Sequence, residues 1–196
     1  MIEPIHVHWI ATNHVLRYLK GTIEYGLRYV ADREIRLQGY IDSDWAGVTD
    51  QTSTFGCCFS LGSIVISWLS RKQTSVAVST AKAEYIATCS ASGEAMWLCK
   101  FLAGLFDLFD LELDVTCIWC DNQSCIKMSE NLVFHDMSKH IEIKYHYIRD
   151  MVEKGAVKLQ YVAIDEQTTN VFTKSLCRVK LEYFRDKLGV VPRKRE

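Results

Sequence analysis

Val115-Thr116-Cys117-Ile118-Trp119-Cys120 is a nearly unbroken β-prone run followed directly by Asp121. It does not alternate between apolar and polar residues, as a strand with one wet face would. It suits a strand buried on both faces between parallel neighbours. Such a strand needs helices on both sides, which points to a layered α/β chain. A carboxylate at the carboxyl end of an interior strand is where open α/β sheets place ligands. Asp121 also reads as a simple helix N-cap, since Asp121-Asn122-Gln123-Ser124 opens a helical stretch.

A second stretch carries more charge: Tyr40-Ile41-Asp42-Ser43-Asp44-Trp45-Ala46-Gly47. On a strand of period two, Asp42 and Asp44 share a face and repel unless a positive group sits between them. A hard cation such as Mg²⁺ is a natural partner for paired carboxylates. The plainer reading is a strand that ends in an Asx-type turn before Gly47.

The other elements follow from pattern. Ile5 to Lys20 places Ile5, Trp9, Val15, Leu16 and Leu19 on a helical stripe, with Gly21 as C-cap. Ile23 to Val30 reads as a strand turning at residues 31–34 into the strand of Asp42. Phe55 to Leu61 and Ile64 to Trp68 form a hairpin across Gly62-Ser63, followed by a short basic link, Ser70-Arg71-Lys72-Gln73. Ser79 or Thr80 caps a helix to about Phe106, with Tyr85, Cys89, Met96, Cys99, Ala103 and Phe106 facing a core and Glu84 in the first turn. Ser138 to Met151 is a third helix, Val157 to Ile164 a last strand, and a final helix begins near Thr168 with Asn170 in its first turn.

Net charge is −1, but residues 171–196 hold eight basic and three acidic residues, so an acidic body carries a basic tail. Such a tail suits a polyanion or a solvated helix. The eight cysteines form no framework, and nothing resembles a signal peptide, so reduced thiols in an intracellular, cytoplasmic protein are expected. Cys117 and Cys120 make half a zinc knuckle without a second half. His140 and His146, six apart, fall on different helix faces and read with His135 as packing or solvated residues. No apolar run reaches the roughly 20 residues of a membrane span, and no Gly-rich phosphate loop or Ser-His-Asp spacing competes for the chemistry.

Oxygen ligands thus fall at four places: on the first strand, at the start of the long helix, after the interior strand and at the start of the last helix. Convergence on one sheet edge would make a two-metal phosphodiester site. Seven stretches then carry a resemblance: Leu16-Arg17-Tyr18-Leu19-Lys20-Gly21-Thr22, Asp42 through Gly47, Ser67-Trp68 through Lys72-Gln73, Ser79-Thr80-Ala81-Lys82-Ala83-Glu84-Tyr85, Asp121 through Ser124, Lys139-His140-Ile141 and Phe172-Thr173-Lys174. In collinear order and over nearly the whole chain, they resemble the ribonuclease H region of copia-type LTR-retrotransposon Pol polyproteins.

The resemblance implies a ribonuclease H-like α/β fold: a mixed five-stranded sheet of three antiparallel strands and then two parallel additions, flanked by helices. It implies residues 1–35 as a polymerase-connection remnant, 36–176 as the ribonuclease H-like domain and 177–196 as a basic C-terminal helix or tail. The implied activity is endonucleolytic hydrolysis of the RNA strand of RNA–DNA hybrids during reverse transcription. Two Mg²⁺ ions, with Mn²⁺ as a substitute, are the implied cofactors. Asp42 would bridge them, and Glu84 and Asp121 would hold the leaving-group side. The fourth ligand of the family is an Asp where this chain has Asn170, which removes one negative charge from the side that activates water; Asp165 and Glu166 are nearby candidates to compensate. Lys82 replaces an acid common in the family and reads as a surface change.

Implied partners are the RNA–DNA hybrid and the polymerase portion of the same polyprotein, with no membrane, in a virus-like particle. Candidate hybrid contacts are Ser43, Arg71, Lys72, Gln73, Asn122 and Lys139, with Lys144 and Arg149 on a basic face. Trp45 is a candidate for stacking on nucleotides, and Trp68 for the core. Two other readings stay open: a decayed remnant that only binds nucleic acid, and a DNA-cleaving or strand-transferring relative of the same architecture.

Overall fold

The computed structural model describes residues 3, 5–30, 35–45, 52–74, 76–77, 79–107, 114–130 and 147–193. In chain order the elements are α1 (His6–Thr22), β1 (Tyr25–Leu27), β2 (Leu37–Asp44), β3 (Thr54–Leu61), β4 (Ile64–Lys72), α2 (Thr80–Phe106), β5 (Thr116–Cys120) and α3 (Gln123–Glu130). They continue with α4 (residues 147–153), β6 (Val157–Tyr161), α5 (Asn170–Thr173), α6 (Arg178–Lys187) and β7 (Val190–Pro192).

β2, β3 and β4 are antiparallel, while β5 lies parallel to β2 and β6 parallel to β5, in the spatial order β4-β3-β2-β5-β6. This is the ribonuclease H-like sheet that the resemblance implies. Thr116, Ile118 and Cys120 of β5 are buried and Cys117 and Trp119 half-buried, in keeping with a strand covered on both faces. The β3–β4 hairpin turns at Gly62, whose φ of 62° lies in the left-handed region that a glycine adopts at no steric cost.

The main core lies between this sheet and α2. Ser79 caps α2, its Oγ accepting the Lys82 N–H at 3.3 Å. Ala83, Ala87, Ala91 and Ala95 recur every fourth residue and are fully buried. That stripe of small side chains lets the helix axis approach the sheet closely, and Leu98 and Leu102 extend it. Against it pack Ile41, Phe59 and Ile118, all fully buried and each contributing about 1.5–3 kcal/mol of apolar burial. Gly39 stands directly across from Phe59 and makes room for its ring.

Several sequence expectations need correction. Ile23 to Val30 does not feed the main sheet: β1 pairs antiparallel with β7 in a separate two-stranded sheet, joining opposite ends of the described chain. α1 runs through Gly21 to Thr22, and its apolar stripe is exposed, Trp9 by 65%. The basic link Ser70-Arg71-Lys72 belongs to β4 instead, because that strand follows β3 as far as Thr54↔Lys72. Ala103 is exposed, and the core-facing residue is Leu102; the Phe106 side chain lies outside the described residues. Trp68 is 58% exposed instead of core. β6 ends at Tyr161. Of the helix expected over 138–151, residues 147–151 are helical and the earlier part, with His140, Lys144 and His146, lies outside the described residues, as do His135 and residues 31–34.

A methyl group on Gly39 would sit 2.6 Å from Phe59 Cε1 and 3.3 Å from Ile118 Cγ1, whereas one on Gly26 would meet nothing within 4 Å. Gly39→Ala should therefore lower the unfolding free energy by about 1–3 kcal/mol, with Gly26→Ala much closer to neutral. Urea titrations of both variants check this, and equal midpoints would show that the sheet yields at Phe59.

Candidate active site

The parallel register of β2 and β5 builds the site. Its last pair is Ile41↔Cys120, so Asp42 and Asp121 are the next residues on neighbouring strands and emerge together at their carboxyl ends. The third carboxylate comes from α2, where Glu84 Oε1 accepts the Ser43 backbone N–H at 2.9 Å. Glu84 opens the second turn of α2 instead of lying in the first. That depth brings it level with the end of β2. Gln73 fixes the same corner, its Nε2 donating to Ser43 Oγ at 3.1 Å and to the Ala83 carbonyl at 2.8 Å.

The opposite side of Asp42 is closed by α5. Gln167, fully buried, donates through Nε2 to the Ile41 carbonyl at 2.6 Å, anchoring the segment before α5 to the strand just ahead of Asp42. Gly56 lies across from Asp42 on β3, where a Cβ would come within 2.8 Å of Thr173 Cγ2 and 3.0 Å of Phe172 Cβ. The missing side chain lets α5 settle on β3. Thr173 then donates its hydroxyl to Asp42 Oδ2, and Lys174 Nζ lies 3.4 Å from Asp42 Oδ1. Asn170 is one turn earlier on the same helix, buried, with Nδ2 donating to the Ile164 carbonyl at 2.8 Å.

Burial and like charge raise the proton affinity of Glu84 and Asp121. Burial above all, with Cys120, Asp42 and Asp121 nearby, pushes Glu84 up to about 10 against the opposing Ser43 hydrogen bond. Asp121 is raised by burial and by Asp42, while Lys174 holds it down. Glu84 Oε2 and Asn170 Oδ1 are buried without a hydrogen-bond partner. An orphaned Glu84 oxygen beside Asp121 and Asp42 fits a hard divalent cation, which takes carboxylate oxygens, and the Asn170 amide oxygen on the adjoining helix is a donor of the same kind. Ligand atoms of Glu84, Asp121 and Cys120 lie within 4.8 Å of one another.

The site thus gathers Asp42, Glu84 and Asp121, with Asn170 on the adjoining helix. Ser43 contributes its backbone N–H and is itself buried. Asn122, not Asp121, caps α3, its Oδ1 accepting the Cys125 N–H at 3.0 Å and so leaving the aspartate uncommitted to the helix. Gln73 is buried, so its contacts are internal. Arg71 and Lys72 are exposed at the end of β4, the Arg71 guanidinium 5.8 Å from the Phe55 ring centroid. Lys139 and Gly47 lie outside the described residues. Asp44 is exposed, and the positive charge beside Asp42 comes from Lys174. Asp165 pairs with Lys180 at 2.8 Å, and the half-buried Arg149 donates to the Met128 carbonyl at 3.4 Å. Trp45 is 44% exposed and donates to the Ala77 carbonyl at 3.0 Å.

Sequence reasoning missed Gln167, Cys120 and the roles of Thr173 and Lys174. The Phe-Thr-Lys stretch was the available signal for the last two. Cys120 was visible only as half a knuckle.

Glu84 titrates far above its ordinary value near 4.5 in the folded chain, so the folded state holds a proton that the unfolded state releases. Its contribution to stability is complete below about pH 4.5 and is lost as pH rises toward about 10. In EDTA, the urea midpoint should fall between about pH 5 and 9, and Glu84→Gln, which carries no titrating proton, should flatten that slope. An unchanged slope in the variant would assign the pH dependence elsewhere.

No protein-family model matches the chain. It is 38% identical over 193 residues to the retrovirus-related Pol polyprotein from transposon RE2 of Arabidopsis thaliana, covering 97% of this chain and 13% of the relative. The polyprotein from transposon RE1 of the same plant is 37% identical over 194 residues, again 97% of this chain and 13% of the relative. The chain therefore spans about 13% of the length of these polyproteins. A foamy viral protease-reverse transcriptase solved in complex with double-stranded DNA shares the fold at a TM-score of 0.50 and 12% identity, over 82% of this chain and 25% of that one. The N-terminal RNase H domain of a Mycobacterium tuberculosis protein aligns with a TM-score of 0.46 and 12% identity, over 78% of this chain and 98% of that one. Over nearly its whole length the chain is similar to one segment of the retrovirus-related Pol polyproteins of transposons, and here that segment carries a ribonuclease H fold.

Proposed function

We propose that the chain is a divalent-cation-dependent hydrolase of the ribonuclease H type that cuts the RNA strand of RNA–DNA hybrids internally during reverse transcription. The observation that carries this reading is the register that brings Asp42 beside Asp121, with Glu84 tied to the same strand end by the Ser43 N–H. Asp42, Glu84 and Asp121 would hold the cations, with the Asn170 carbonyl oxygen in the fourth place. Two Mg²⁺ ions bound there, or Mn²⁺ in their stead, supply an activated water and stabilisation of the leaving oxygen.

The protein's own groups do the positioning. The Ser43 N–H and the Gln73 amide keep Glu84 and β2 in register, so the carboxylates do not rearrange as substrate arrives. Arg71 and Lys72, exposed at the end of β4, suit phosphate contacts without sequence preference. RNA would be told from DNA by hydrogen bonds to its 2′-hydroxyls. Residues 1–35 as a polymerase-connection remnant, 36–176 as the catalytic domain and 177–196 as a basic tail complete the proposal. So do the polymerase portion of the polyprotein as partner and a cytoplasmic, virus-like particle as location. Among the described residues, no helix is long and apolar enough to cross a membrane.

One observation favours a second reading, a decayed remnant that binds hybrid without cutting it. Asn170 adds no negative charge, and its Nδ2 is held by the Ile164 carbonyl.

Labelled RNA–DNA hybrid with Mg²⁺ or Mn²⁺ separates the two. Asp42→Asn should reduce cleavage of the RNA strand by at least about 100-fold, and EDTA should abolish it. Asn170→Asp should raise it by about tenfold, since it restores a charge in a low-dielectric site. Cutting only by Asn170→Asp would establish the decayed enzyme. Folded protein that cuts hybrid in neither form, or cuts duplex DNA equally, would defeat the proposal.

A further inference from the structure

Both oxygens of Asp42 are engaged by residues from one short segment. Thr173 donates to Oδ2, and Lys174 Nζ lies 3.4 Å from Oδ1. Glu84 Oε2 and Asn170 Oδ1, buried without a hydrogen-bond partner, belong to other residues. Asp42 is 1% exposed, so its charge is balanced from within the protein, and Lys174 also acts on Asp121. The ammonium therefore sits against Asp42 and is close enough to Asp121 to hold its proton affinity down. Lys174 follows α5 in extended backbone, and its side chain is 31% exposed. A flexible four-carbon stem with a third of its surface in solvent has a way out.

We infer that Lys174 is a resident monovalent occupant of the Asp42 position, so that a divalent cation binds there by displacing its ammonium. The inference rests on the proposed reading of this cluster as a cation site. It gives the Asn170 replacement a second meaning. A site with one carboxylate fewer and a lysine inside is nearer to neutral without added metal, and a divalent ion must compete for Asp42 before it can serve. Lys174 is then a positioning residue that sets the cation concentration at which the site fills. It takes no part in the bond-breaking step.

The test counts bound metal instead of turnover. Mn²⁺ binding to the full chain is followed by electron paramagnetic resonance in the unaltered protein, in Lys174→Met and in Lys154→Met, which removes a distant lysine paired with Asp150. Removing a positive charge beside Asp42 should tighten Mn²⁺ binding by about tenfold in Lys174→Met and leave Lys154→Met close to the unaltered chain. Adding Asp42→Asn to Lys174→Met should erase the gain. Equal affinities in all three chains would overturn the role of Lys174 while leaving the cation site standing. No saturable Mn²⁺ binding in any of them would overturn the cation site itself.

A second measurement needs no substitution and guards against a misfolded variant. Acetylation of Lys174 by acetic anhydride, read by peptide mass spectrometry, should rise several-fold when Mn²⁺ is present, because the amine is released from Asp42. A rate unchanged by saturating Mn²⁺ would show that metal and lysine do not exchange.

Discussion

A single backbone register underlies the site. Parallel pairing of β2 with β5 terminates at Ile41↔Cys120, and Asp42 and Asp121 lie one residue beyond it. A slip of one residue in either strand would turn its aspartate to the other face, because side chains alternate with period two. The register is held by burial on both faces: Ile41 and Ile118 are fully buried against α2, and Gln167 grips the Ile41 carbonyl from the other side. The carboxylate pair is thus a product of core packing, and its precision is that of the apolar residues behind it.

That precision carries an electrostatic cost. Folding brings three acids to one strand end and partly dehydrates them, which raises the proton affinity of Glu84 and Asp121. The protein offsets the strain with the Ser43 N–H on Glu84 and with Thr173 and Lys174 on Asp42. Glu84 Oε2 is left without a partner. Proton, lysine and divalent cation are three ways of answering the same excess of negative charge.

The parts of this arrangement that depend on local pattern were legible in the sequence. The apolar run before Asp121, the Gly62-Ser63 turn and the Ser79 cap each announce themselves within a few residues, and they placed β2 to β5 and α2 nearly where they lie. The collinear motifs then supplied Asp42, Glu84 and Asp121. What stayed hidden depends on distance along the chain. The Gln167 amide reaches a carbonyl 126 residues away, and the pairing of β1 with β7 joins two three-residue strands that carry almost no periodic signal. The stripe of α1 marks a limit of another kind, since helical periodicity reports an apolar face but not whether anything covers it. Asn122 shows why local pattern alone does not assign a cap: of two adjacent residues that could cap α3, the second takes the helix and the first stays uncommitted to it.

Gly56 gives the site a mechanical dimension. It is a gap in the side-chain layer of β3, filled by Thr173 and Phe172 of α5, and the segment carrying Lys174 hangs from that seat. The reach of the lysine charge toward Asp42 is consequently gauged by a hydrocarbon contact one strand away. A neutral residue there would act as a spacer, detuning the electrostatics of the centre without altering a single charged group.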